Sequence, residues 1–380
     1  SNIRLTKCIS LIDDITISFE DSSRGFGGID FGKKGFTFRN SKLIRTRGKA
    51  GILFSQLTTL NDPIIIENCI FDNCESTNNN NRCMSITAYT TSITFDNNTI
   101  QNMQEQGNSG YSVVFTLKTK VSTFIINEMK FLDNRCNSDY GGGSGLWITG
   151  TDKIEFNNCE FINNIALKSP NKRNQYPTGY NEYFTGDGGG IQYGFSQSIS
   201  NVDLTFEGCL FRQNKAVRHG GAIAIQTQKT VEIIRCTFEG NVANYQTTTS
   251  IEMLYDNHYN KKPEGRGGAI YLNPSFTSNQ GTYYLKSVKI EGCTFRGNKA
   301  YDGHAIYIEG DQCETQFIIN NNDFIDNYDT TSYSNDKTVI GSEISPIYDD
   351  QVISSNRFSY TNSSIYVSPF RYVDHYGRPA

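Results

Sequence analysis

Residues 211–225 read FRQNKAVRHGGAIAI, a Phe-x-x-Asn (Phe211, Asn214) followed by Gly-Gly-Ala-Ile (Gly220 to Ile223). The same order returns twice. Phe238 and Asn241 lead to Gly267-Gly268-Ala269-Ile270, and Phe295 and Asn298 lead to Gly303-His304-Ala305-Ile306. Working outward, the apolar residue ahead of each turn gives one series: Leu43, Phe71, Ile100, Phe131, Phe161, Phe211, Phe238, Phe295, Phe324 and Phe358. A second series interleaves with it: Ile52, Ile86, Val113, Leu146, Ile191, Ile223, Ile270, Ile306 and Ile344. Most gaps are about thirty residues, and the segments between Gly and Asn alternate apolar and polar with period two. Such a repeat, without helical periodicity, specifies a solenoid of β-coils.

The expected architecture is therefore all-β: residues 1–380 form one β-solenoid domain of about ten coils with three short strands each. At the usual strand spacing the rod would be about 50 Å long. The coil from Gly220 lays out as strands at 222–226, 230–235 and 236–238, closing at Asn241. Further upstream, Ile15, Ile17 and Phe19 alternate with Thr16 and Ser18 as in one half-buried strand. The Phe column should stack inward. The Asn column (Asn134, Asn164, Asn214, Asn241, Asn298, Asn327) should supply left-handed backbone at a turn and an amide ladder between coils. The Gly-Gly pairs mark a sharp corner.

Phe-x-x-Asn followed by Gly-Gly-Ala-Ile resembles the repeat of the chlamydial polymorphic outer-membrane proteins, best from Phe131 to Asn327. Ile100, followed by Met103, and Phe71, followed by Cys74, depart from it. The resemblance implies a right-handed parallel β-helix serving as a surface-exposed passenger or adhesin. No segment looks like the membrane barrel of an autotransporter.

Net charge is −4 with a pI near 5.7, and no Lys/Arg run forms a phosphate-tracking patch, so nucleic acid is not expected as a partner. No apolar run approaches the ~20 residues of a membrane-spanning helix. The opening Ser1-Asn2-Ile3 reads as the start of a processed segment of a longer chain.

Among the ten cysteines, Cys69, Cys159, Cys209, Cys236 and Cys293 each lie two residues before an anchoring Phe. They should face the core as free thiols. Cys74 and Cys83 bracket the polar run 76–82 and form a candidate disulfide. Cysteine and histidine lack zinc-ligand spacing, and neither a metal nor a cofactor is expected.

Two long insertions, 167–187 and 244–266, occupy the same corner on either side of a plain coil. They carry Tyr176, Tyr180 and Tyr183 in one and Tyr255 and Tyr259 in the other, candidate binding residues for a glycan or a host surface. Immediately before the Gly-Gly corner runs a column of Asp187, His219, Arg266 and Asp302. If the solenoid cleaves polysaccharide, this column is the candidate site, with Asp187 and Asp302 as its candidate catalytic carboxylates. As a structural column, its alternating charges suit an exposed turn. Asn97-Asn98-Thr99 and Asn362-Ser363-Ser364 are N-glycosylation patterns, whereas Asn273-Pro274-Ser275 is disabled by proline.

The leading functional expectation is an extracellular or cell-surface structural protein that assembles with copies of itself into a fibre. In that assembly Ile15, Ile17 and Phe19 meet Ile365 and Val367 at the joint. The alternatives are an adhesin using the Tyr-rich loops and a polysaccharide lyase or glycoside hydrolase.

Overall fold

The computed structural model describes residues 3–4, 11–19, 27–30, 36–45, 52–55, 63–73, 75–76, 84–88, 93–105, 113–138, 146–168, 187–193, 202–225, 229–243, 265–273, 275–278, 281–300, 303–308, 316–329, 340–342 and 352–359. Among these residues there are strands and tight turns and no helix, hence no helix long and apolar enough to cross a membrane. Strands of successive coils pair in parallel, in register apart from a shift between Thr116 and Val121 where Val113–Asn127 meets Leu146–Asn157. Two sheets hold eleven strands each, one running from Ile3–Arg4 to Val352–Ser354 and the other from Thr16–Phe19 to Arg357–Ser359. Further sheets hold eight, five and four strands. The one antiparallel pair among the described residues is the hairpin of Ser275–Ser278 with Gly281–Tyr284.

The sheet from Thr16–Phe19 to Arg357–Ser359, here the phenylalanine sheet, carries the first sequence series without a slip. Ile17, Leu43, Phe71, Ile100, Phe131, Phe161, Phe211, Phe238, Phe295, Phe324 and Phe358 are successive register partners. From Phe131 to Phe358 the rings stack nearly parallel at 4.7 to 5.0 Å, which is the strand spacing itself. Each ring of this column therefore packs directly on the next. From Leu43 to Phe324 this column has no measurable exposure.

The second series divides between two sheets. Ile52 pairs with Met84, not Ile86, and the line continues to Val113 and Leu146 in an eleven-stranded sheet. Ile191, Ile223, Ile270, Ile306 and Ile340 form the five-stranded isoleucine sheet, and Ile344 lies outside the described residues. The reason is local: Val113–Asn127 and Leu146–Asn157 each run on as one strand, where the coil after them has separate strands at Ile191–Tyr193 and Asp203–Glu207. The Tyr193 hydroxyl donates to Ile148 O at 2.9 Å and ties the two arrangements together.

The coil laid out from Gly220 holds four strands rather than three: Ile223–Ile225, Thr230–Ile234, Thr237–Glu239 and Val242–Ala243. Single residues of positive φ separate the last three, Arg235 (51°) and Gly240 (64°). The alternation read over residues 15–19 is a strand at Thr16–Phe19; a similar turn at Asp14 (φ 52°) precedes it, so Leu11–Asp13 belongs to a different sheet and Ile15 sits at the corner.

These corners correct the expected role of the asparagines. The left-handed residue is the one before the column, Asp133, Asn163, Gln213, Gly240, Gly297 or Asp326. The column asparagine itself points inward and is buried. Asn214 shows the pattern: Nδ2 donates to Phe161 O (2.8 Å) and Asn241 Oδ1 (3.0 Å), while Oδ1 accepts from the backbone N and Nδ2 of Asn164 (both 3.0 Å). Identical bonds link Asn241 to Asn298 and Asn298 to Asn327, so the expected amide ladder is present.

The preceding corner carries the cysteines. Cys69, Cys159, Cys209, Cys236 and Cys293 are buried free thiols, as is Cys136. Cys209 Sγ donates to Phe156 O on the neighbouring coil at 3.3 Å, and the other four do likewise. Burial pushes the Cys69 thiol up to about 12, and burial together with Cys209 raises Cys159 and Cys236. Ser41, Asn98, Met129 and Asn322 occupy the same corner, Asn98 and Asn322 with the amide bonding of the asparagine column. Cys74 and Cys83 lie outside the described residues.

Candidate functional site

The isoleucine sheet begins at the Gly-Gly corner. Gly220 has φ 64°, and its N–H donates to Arg266 O at 2.9 Å. Gly221 is required for a different reason: a Cβ there would lie 2.1 Å from Gly268 O. Successive corners thus approach backbone to backbone, and Gly221 N donates to Gly267 O at 3.1 Å. This close approach places the residue before each glycine pair directly beside its counterpart on the next coil.

Asp187, His219 and Arg266 are those residues, on three consecutive coils as expected. Their surroundings are not as expected, because the column is buried: exposure is 0% for Asp187, 6% for His219 and 5% for Arg266. Asp187 Oδ1 accepts from the His219 backbone N–H at 2.9 Å, and Arg218 Nη1 lies 4.0 Å from Oδ2. His219 Nδ1 accepts from the Arg266 backbone N–H at 3.2 Å, which requires the proton-free form of that nitrogen. Each side chain then leans one coil onward. The His219 ring stacks on Tyr271 at 4.5 Å, and the Arg266 guanidinium sits 4.7 Å over Tyr307.

Alternation along Ile270-Tyr271-Leu272 and Ile306-Tyr307-Ile308 turns both tyrosines away from the main core, opposite the inward isoleucines. They are nonetheless about 1% exposed and form, with Ala224, a second apolar cluster on the outer side of the sheet. Arg218, Tyr271 and Tyr307 were not singled out in the sequence. The signal was present, since Tyr271 and Tyr307 each follow the last residue of the Gly-x-Ala-Ile motif.

The arrangement ties four coils together, from that of Asp187 to that of Tyr307, through a carboxylate, an imidazole and a guanidinium in turn, each with backbone or aromatic partners. Asp302, the remaining member of the column, lies outside the described residues, as do Tyr176, Tyr180, Tyr183, Tyr255, Tyr259 and Asn362. Asn97 is exposed at a corner of φ 50°. Among the described residues, His, Cys, Asp and Glu side chains form no group of three or more able to hold a metal ion. Comparison with protein-family models, curated proteins and solved structures found no match to this chain.

Proposed function

We propose that the chain is an extracellular structural rod, a right-handed parallel β-helix of about ten coils whose copies join end to end. The observation that carries this reading is the unbroken parallel stack, whose inward column is sealed from Leu43 to Phe324 while Phe358, its last described member, is 36% exposed. Apolar side chains beside an unpaired strand edge template further pairing. A head-to-tail joint that does not close extends into a filament. Extracellular placement and handedness rest on the likeness of the repeat to surface-exposed passengers.

Polysaccharide cleavage draws no comparable support. Asp187 is fully buried and its Oδ1 is engaged by the His219 amide, an arrangement suited to joining coils rather than to exchanging protons with a bulky substrate. Sedimentation velocity and electron microscopy over a concentration series test the proposal. The expected result is unbranched filaments that lengthen with concentration and are lost in an Ile15→Lys, Phe358→Lys double variant. A monomer at high concentration overturns it and returns the lead to glycan or host-surface adhesion.

A further inference from the structure

We infer that Asn97 is an acceptor for an asparagine-linked oligosaccharide. The sequence pattern Asn97-Asn98-Thr99 is common by chance, but here the fold sorts its three residues. Asn98 turns inward and is locked: Nδ2 donates to Ile66 O at 2.8 Å, and Oδ1 accepts from Cys69 N at 2.9 Å. Asn97 and Thr99 flank it on the outside. Thr99 alternates with the buried Ile100, and Asn97 projects from the left-handed corner between Ile93–Asp96 and Thr99–Gln101. The neighbouring corner residues, Asn68 and Glu128, are exposed and polar, so the outer ridge leaves room for a first sugar.

The hydrogen bonding of Asn97 is compatible with the modification. Its Nδ2 carries two hydrogens, and one donates to Asn68 Oδ1 at 2.7 Å. Transfer forms a bond from Nδ2 to the anomeric carbon of a lipid pyrophosphate-linked oligosaccharide. One proton leaves Nδ2 and the lipid pyrophosphate departs. The product is a secondary amide with one N–H, which is what the bond to Asn68 uses. The backbone bonds of the corner, Asn97 N to Asn127 O and Thr99 N to Cys69 O, both 2.8 Å, are untouched. The glycan would stand on the flank of the rod, away from the outermost rungs.

The inference rests on the extracellular reading only in that the donor belongs to a secretory pathway. The test fuses a secretory leader to the full chain in a eukaryotic host, digests secreted and retained material, and removes glycans with peptide N-glycosidase in heavy-oxygen water. The expected result is conversion of Asn97 to labelled Asp, abolished by Thr99→Ala and kept by Thr99→Ser. A translocated chain whose Asn97 peptide is unmodified overturns the inference. Sedimentation of the same material before and after deglycosylation reads assembly separately, so failure of the fibre leaves the occupancy result standing, and the reverse.

Discussion

Asn214 does more for the fold than its place at a turn suggests. Its amide satisfies buried groups on both neighbouring coils at once. Asn214→Ala leaves Asn164 N–H and Phe161 O without that partner, at about 1–3 kcal/mol for each buried group. Urea unfolding should show the loss. Phe211→Ala removes a ring stacked on both sides, at 4.7 Å from Phe161 and 4.9 Å from Phe238. The expected cost is about 3–5 kcal/mol, the cavity included; a variant that unfolds at the parent's urea midpoint would show that the ring is not in the core. The Phe column was legible because it recurs at a fixed offset from Asn. The left-handed position was not, because that one place accepts Asp, Asn, Gln or Gly and so leaves no column in the sequence.

At the scale of the turn and strand, glycine serves two different needs. Gly297 has φ 62° and open space where a Cβ would go, so Gly297→Ala meets only left-handed strain of about 1–2 kcal/mol. Gly221 is not left-handed, and Gly221→Ala instead drives a Cβ into Gly268 O and Val242 N, backbone atoms that cannot step aside. It should lower the melting temperature well beyond Gly297→Ala, and equal shifts would contradict the close approach of the corners. The strands themselves were legible as apolar alternation, but alternation has a period of two, so a slip of two residues keeps the same face inward. That is how Ile86 stood in for Met84. Splitting one long strand into two is equally silent, because both forms alternate alike. The Asp187, His219 and Arg266 column was legible as a column but not as buried, since Tyr271 covers His219 and Tyr307 covers Arg266, each from the next coil.

Across the whole molecule, ion pairs join neighbouring rungs on the outer surface, including both outermost described regions. Arg39 hydrogen-bonds Asp13 and holds its carboxyl below the usual range, and Arg357 does the same for Asp323; within the single strand Ser287–Glu291, Lys289 likewise lowers Glu291. A carboxylate lowered on folding contributes stability that is complete above its unfolded pKa, about 4, and is lost as pH falls through the folded value. The urea midpoint should therefore hold steady from pH 7 to about 4 and decline below. Screening by salt should flatten that decline, since the pairs are exposed. The in-register pairing of parallel strands also has a mechanical consequence. Interstrand hydrogen bonds point along the stack, so tension applied to its two ends loads successive rungs in series and the weakest junction alone sets the breaking force. A sideways load across one junction is instead shared by all the bonds of that rung, its thiol, amide and backbone links yielding together. Such a rod is strong as a strut or a shelf and weak as a rope.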